Sequence, residues 1–170
     1  MTHPRPDTVV WHTVLCIVAL VGLGSAAQAD EVSQRAFIAK WAGSYNSEGF
    51  LKEPAVRREL QQLLGAQMGH LLHNLNVRGA VDLDDETLSV NGNAPHQGTE
   101  EEAIVCATIL PLKTIVEAAI FSKSAVTVYT RDATYENASI CIKDWITLVN
   151  FGHIDRVKQP ANVRVLTPVR

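Results

Sequence analysis

Apolar residues recur with two different periods along this chain, and the change between them divides it. Val56, Leu60, Leu63, Leu64, Leu71, Leu72 and Leu75 fall at helical spacing, while Arg57, Arg58, Glu59, Gln61 and Gln62 lie off that line. This is the stripe of an amphipathic helix. Pro54 is placed to open it, because a residue without an N–H loses nothing in the first helical turn. Gly65 and Gly69 each weaken the middle by about 1 kcal/mol against Ala, and glycines at this spacing are expected to admit a sheet at close range. Upstream, Val32 to Trp41 predicts a short helix with Phe37 and Trp41 on one face, followed by a polar loop from Gly43 to Gly49.

After Leu75 the period becomes two. Ala80 to Leu83 and Thr87 to Val90 flank Asp84-Asp85-Glu86, which predicts a hairpin. Asn91 to Thr99, built largely from Asn, Gly, Pro and Gln, predicts a loop. Three strands are then expected. Ala103 to Leu110 is an unbroken apolar run, Thr114 to Phe121 follows a break at Pro111 to Lys113, and Ala125 to Thr130 follows a tight Ser122-Lys123-Ser124 turn. Ile140 to Val149 predicts a helix with Ile140, Trp145 and Leu148 on one face. Pro160 and Pro168 punctuate a basic tail, about residues 159–170, whose order the pattern leaves open. A helix followed by short strands and tight turns predicts an α+β fold: an antiparallel sheet with the long N-terminal helix packed on one face and a short C-terminal helix.

The first thirty residues follow neither period. Val14 to Leu23 is apolar apart from Gly22, Arg5 precedes it, and Ala27-Gln28-Ala29 gives a small-x-small site before Asp30. This is the pattern of a secretory signal peptide over residues 1–29, cleaved after Ala29. The run is shorter than the roughly 20 apolar residues a membrane span needs. Cleavage would leave residues 30–170, the size of one domain, in the periplasm and without a membrane span.

That address changes the reading of the cysteines. Cys16 leaves with the peptide, so Cys106 and Cys141 remain. An even pair in an oxidising compartment is expected to form a disulfide, with a chain-entropy contribution of about 4 kcal/mol. The formal net charge is −3. Basic residues are not clustered with aromatics, which argues against a nucleic-acid partner. His70 and His73 share a helix face at a spacing that suits a metal, but no acidic ligand lies close by in sequence. Asp82, Asp84 and Asp85 lack the glycine and terminal glutamate of a calcium loop. No metal and no cofactor is expected.

Candidate chemistry concentrates in Gly92-Asn93-Ala94-Pro95-His96-Gln97-Gly98-Thr99, followed at once by Glu100-Glu101-Glu102. Pro95 stiffens the backbone ahead of His96, so the imidazole is presented at low entropic cost. An imidazole can donate to or accept from a carboxylate. The stretch from Leu88 to Phe121 resembles the Ivy-type inhibitors of vertebrate lysozyme, small periplasmic proteins with a helix packed on an antiparallel sheet. That family carries a Cys-Lys-Pro-His-Asp-Cys loop whose histidine enters the lysozyme cleft and contacts its catalytic carboxylates. The corresponding residues are Asn93-Ala94-Pro95-His96-Gln97-Gly98: Pro95 and His96 match, Asn93 and Gly98 stand in place of the bridging cysteines, and Gln97 replaces an acid. Beyond the loop, the likeness continues through Ala103 and Val105 to Ala119-Ile120-Phe121.

The resemblance implies a protein partner, a cell-wall hydrolase, which the protein inhibits or to which it confers immunity. Asn93, Pro95, His96, Gln97, Glu100 and Glu101 form the expected target-binding loop. The glutamates would steer a basic enzyme and raise its association rate. A second reading is a binding module for a small or cell-envelope ligand, with Trp41, Phe121 and Trp145 as wall candidates. An enzyme is not expected: His96 with Glu101 could act as an acid–base pair, but no nucleophile motif accompanies them.

Overall fold

The computed structural model describes residues 28–132, 134–150 and 158–168. The expected signal peptide falls on residues 1–29 and so lies almost wholly outside the described residues; residues 28–41 form helix α1. Four further helices follow: α2 (Ser47–Leu51), α3 (Pro54–Leu64), α4 (Met68–Asn74) and, after six strands, α5 (Ile140–Val149). The strands are β1 (Val77–Arg78), β2 (Asp82–Asp84), β3 (Thr87–Asn93), β4 (Glu101–Leu110), β5 (Lys113–Ser122), β6 (Ala125–Tyr129) and β7 (Val163–Leu166). They form one sheet in the order β1-β3-β4-β5-β6-β7, with β2 also paired to β3.

Alternation along the strands sends side chains to two covered faces. Ala103, Val105, Ala107 and Ile109 of β4 join Leu88, Val90, Val116, Ala118 and Ile120 against Trp41, Phe50, Val56, Leu60, Leu63 and Leu71 of the first four helices. Ile104 and Cys106 point the other way and join Ala119, Phe121, Val126 and Val128 against α5. Burial on both faces explains why β4 and β5 read as apolar runs rather than as half-polar strands.

The α+β architecture stands, with three corrections to its details. The long helix is broken. Gly65 adopts a left-handed φ of 49° and caps α3, and a single 3₁₀ turn, Gly65–Gln67, joins it to α4. Such a conformation favours glycine, which lacks the Cβ that would clash. The apolar stripe survives because Met68, Leu71 and Leu75 on the second segment stay buried. Neither glycine admits the sheet: no atom lies within 4 Å of where a Cβ at Gly65 or Gly69 would sit.

The second correction is that the sheet is antiparallel only as far as β6. β7 runs parallel to β6, so part of the basic tail is an edge strand. A parallel neighbour needs a crossover, and α5 lies between β6 and β7 in the chain. The third concerns the face of α5. Ile140 and Leu148 are 57% and 71% exposed, while Ile142, Trp145, Ile146 and Val149 are buried. The buried four follow the i, i+3, i+4, i+7 rule that the expected face did not.

The expected disulfide is present. Cys106 of β4 and Cys141 in the first turn of α5 are bonded, with Cα atoms 6.3 Å apart. The bond fastens α5 to the middle of the sheet. Among the described residues no helix is long and apolar enough to cross a membrane.

Candidate functional site

The connection from β3 to β4 leaves the sheet later than the sequence pattern predicts. Asn91, Gly92 and Asn93 still belong to β3, where Asn93 pairs with Glu102. Gly92 is required here, since a Cβ would lie 2.4 Å from the Val77 carbonyl oxygen on the neighbouring strand β1. The loop proper is 94–100.

Two successive turns build it. The Gln97 N–H donates to the Ala94 carbonyl at 3.1 Å, closing a turn with Pro95 and His96 at its centre. Proline presets the first central residue, and His96 takes the second at a φ of 62°, the arrangement of a type II turn. A non-glycine residue at this φ costs of order 1 kcal/mol. The second turn is closed by the Glu100 and Glu101 N–H groups, both donating to the Gln97 carbonyl, at 3.1 and 3.0 Å. Below them the Ala94 N–H donates to the Glu101 carbonyl at 2.9 Å. The Asn93 side-chain amide donates to the Ala94 carbonyl at 2.8 Å, and the Thr99 N–H donates to the Glu102 carboxylate at 3.0 Å.

The outcome is a braced loop with an open tip. Ala94 is buried, whereas His96, Gln97, Gly98, Thr99 and Glu100 are exposed. The His96 imidazole has no partner among the described residues. At the loop base Gly98 faces Asn93: a Cβ built on it would stand 3.7 Å from the Asn93 amide nitrogen.

The glutamates divide by environment. Of the three, only Glu100 is exposed; Glu101 and Glu102 are half-buried. Glu102 accepts from Thr99 within the loop. Both carboxylate oxygens of Glu101 are engaged: one accepts from the Ser122 hydroxyl at 2.5 Å, the other from the buried Asn74 amide at 3.0 Å, with His70 Nε2 also at 3.0 Å. Burial pushes the Glu101 carboxyl up, but hydrogen bonds from Ser122, His70 and Asn74 together hold it below its ordinary value. Glu101 thus ties α4 and β5 to the first residue after the loop. Asn74 adds a bond to the Glu102 carbonyl at 3.3 Å.

Sequence reasoning assigned neither His70 nor Asn74 this role. Their spacing of four on an otherwise apolar stripe was the available signal, since i and i+4 share a helix face. His73, which was weighed with His70 as a metal pair and set aside, is exposed, and no group of three or more metal-ligating side chains occurs among the described residues. The wall candidates Trp41, Phe121 and Trp145 are 5%, 7% and 4% exposed and pack into the two cores.

A family model described as inhibitor of vertebrate lysozyme (Ivy) matches residues 55–147, more than half of the chain. The chain belongs to the Ivy family. No match was found among curated proteins or among solved structures. The region shared with Ivy begins in α3 and ends in α5, so it includes the 94–100 loop, the Glu101 network and both ends of the disulfide. Ivy proteins are lysozyme inhibitors, which is a role played on a protein partner rather than on a turned-over substrate.

Proposed function

We propose that this protein is exported, loses residues 1–29, and works in the periplasm as a single domain of residues 30–170 that blocks a lysozyme-like cell-wall hydrolase. The segment from Asn93 to Thr99 enters the enzyme's cleft. Such clefts hold a pair of carboxylates at the scissile bond, and the His96 imidazole hydrogen-bonds one of them. Gln97 supplies amide contacts beside it, and exposed Glu100 speeds association with a basic enzyme. Asn93, Pro95 and Glu101 act from below by holding the loop in its inserting shape. Rigidity matters because ordering a loop on binding costs affinity.

The observation that carries this reading is the loop tip: an exposed, unpartnered His96 on a proline-led turn whose base is hydrogen-bonded to the sheet. His96→Ala is expected to weaken inhibition by about 2 kcal/mol, roughly thirtyfold, with an unchanged melting temperature. His96→Gly relieves the left-handed backbone and should stabilise the fold by about 1 kcal/mol while losing inhibition to the same extent. Lysozyme inhibition assays beside thermal melts measure both. An alanine variant that inhibits as well as wild type sinks the insertion mechanism.

A further inference from the structure

The Lys123-Ser124 turn and the start of β7 lie at the same end of the sheet as the loop, since Ser122 pairs with both Glu101 and Ala125, and Val126 with Val163. Here a groove of about 520 Å³ opens, within the range of small-ligand sites. One wall is Gln67 and His70; the other is formed by Ala125, Thr127 and Tyr129 of β6 with Arg164 of β7.

Charge sets this groove apart. Lys123 and Arg164 line it, and no aspartate or glutamate does, although the chain as a whole carries a formal charge of −3. Neither cation has a carboxylate partner among the described residues. The contrast is a groove of about 230 Å³ near α2, where Lys52 and Arg78 both pair with Glu48. Arg164 is also held in place. Its Nε donates to the Thr127 hydroxyl across the β6–β7 pairing at 2.8 Å, which leaves the outer guanidinium nitrogens available.

The groove also offers side chains suited to hydroxyl groups. Tyr129 keeps its phenol protonated, because burial raises its pKa more than the nearby Arg164 lowers it. Gln67 and the Thr127 hydroxyl add a further amide and a further donor. Ile120 and Ala125 are the apolar lining on the β5 and β6 side. A fixed guanidinium recognises planar or tetrahedral oxyanions through paired N–H groups, and a lysine at the rim adds a second charge.

We propose that this groove binds a small anionic saccharide, a sugar bearing a carboxylate or a phosphate, with Arg164 and Lys123 holding its charge. The groove lies outside the 94–100 loop but adjoins its anchor, since the lining residues His70 and Ser122 also hold Glu101; its occupation does not depend on the inhibitor reading.

The test is an NMR titration of the whole protein with four probes: N-acetylmuramic acid, glucose 1-phosphate, N-acetylglucosamine and inorganic phosphate. At least one of the two charged sugars should shift the amides of Gln67, Thr127, Tyr129 and Arg164 and bind more tightly than the neutral sugar. Which one binds better identifies the anion. Arg164→Gln should weaken that binding about tenfold or more, the usual effect of losing a charged hydrogen bond, and Arg164→Lys should restore part of it. Lys123→Gln lies on an exposed turn and should weaken binding without disturbing the sheet, so a folding defect in the Arg164 variants leaves the test intact. His96→Ala should bind the sugar as wild type does, which separates this site from the loop. The assignment is overturned if no probe shifts these amides, if the neutral sugar or free phosphate binds as tightly as the charged sugars, or if neither Arg164→Gln nor Lys123→Gln weakens binding.

Discussion

Two segments of this protein are held in place by opposite means. Helix α5 is fastened to β4 by a covalent bond between Cys141 and Cys106. The 94–100 loop, which the resemblance would have closed with a disulfide of its own, is held by backbone and side-chain hydrogen bonds, a proline and the Glu101 network. The difference follows from what each constraint acts on. A bridge across 35 residues removes much of the unfolded chain's freedom and so stabilises the whole domain. Hydrogen bonds inside a short loop contribute only about 1 kcal/mol each but fix a local shape. Stability and tip geometry are therefore separable here.

The most severe way to break that separation is to remove the bridge. Cys106→Ser with Cys141→Ser is expected to cost about 4 kcal/mol, read as a fall in the urea midpoint, while inhibition below the new melting temperature persists. Inhibition lost in the folded double mutant would show that the loop depends on α5.

A smaller effect should come from the polar anchor. Asn74→Ala removes a fully buried amide that serves Glu101 and two backbone carbonyls, at an expected cost of about 2–3 kcal/mol. It should also loosen the loop and weaken inhibition, unlike the cysteine variant. Acid should act on the same anchor. The Glu101 carboxyl lies below its ordinary value of 4.5 in the folded protein. Its contribution is thus complete above that value and is lost as the pH falls through the lower folded value. The stability gap between wild type and Glu101→Gln, followed by urea denaturation, should be constant near neutrality and close as the pH falls below 4.5.

The mildest change sharpens the contrast by giving the loop a bridge. Asn93 and Gly98 face each other at the base, so Asn93→Cys with Gly98→Cys should oxidise spontaneously, as thiol titration would show. The gain should not exceed about 2 kcal/mol, because a loop this short confines little of the unfolded chain. Inhibition should be kept or improved. A pair that stays reduced in air would mean the loop base is more open than its hydrogen bonds indicate.

Much of this was legible in the chain, for identifiable reasons. The α5 boundaries, the β5–β6 turn and the Asp85 turn of the β2–β3 hairpin follow from neighbouring residues alone. A turn at Pro95 is legible as well, but its type is not: proline suits type I and type II alike, and a histidine in the next position does not call for the left-handed backbone it adopts. The break at Gly65 was half legible: glycine lowers helix propensity wherever it falls, and only the packing of two segments on one sheet decided that it would end the helix. The face of α5 was misread because Ile140 and Leu148 look like core residues until the sheet beneath shows which side is covered.

What the sequence by itself determined is the set of local preferences: the helical stripe, the strands, the turn that carries His96, and a cysteine pair able to bridge. The first three depend on residues within a few positions of one another; the cysteine pair, 35 positions apart, follows from an even count in an exported chain. Only the tertiary structure decided that Glu101 would be gripped by His70 and Asn74, that the tail would supply a parallel strand, and that Lys123 and Arg164 would face the same groove. These pairings join residues 27 to 41 positions apart, and no local preference encodes them. They arise when two apolar faces of a helix and a sheet are buried together, and polar side chains at the margin take whichever partners that packing leaves within reach.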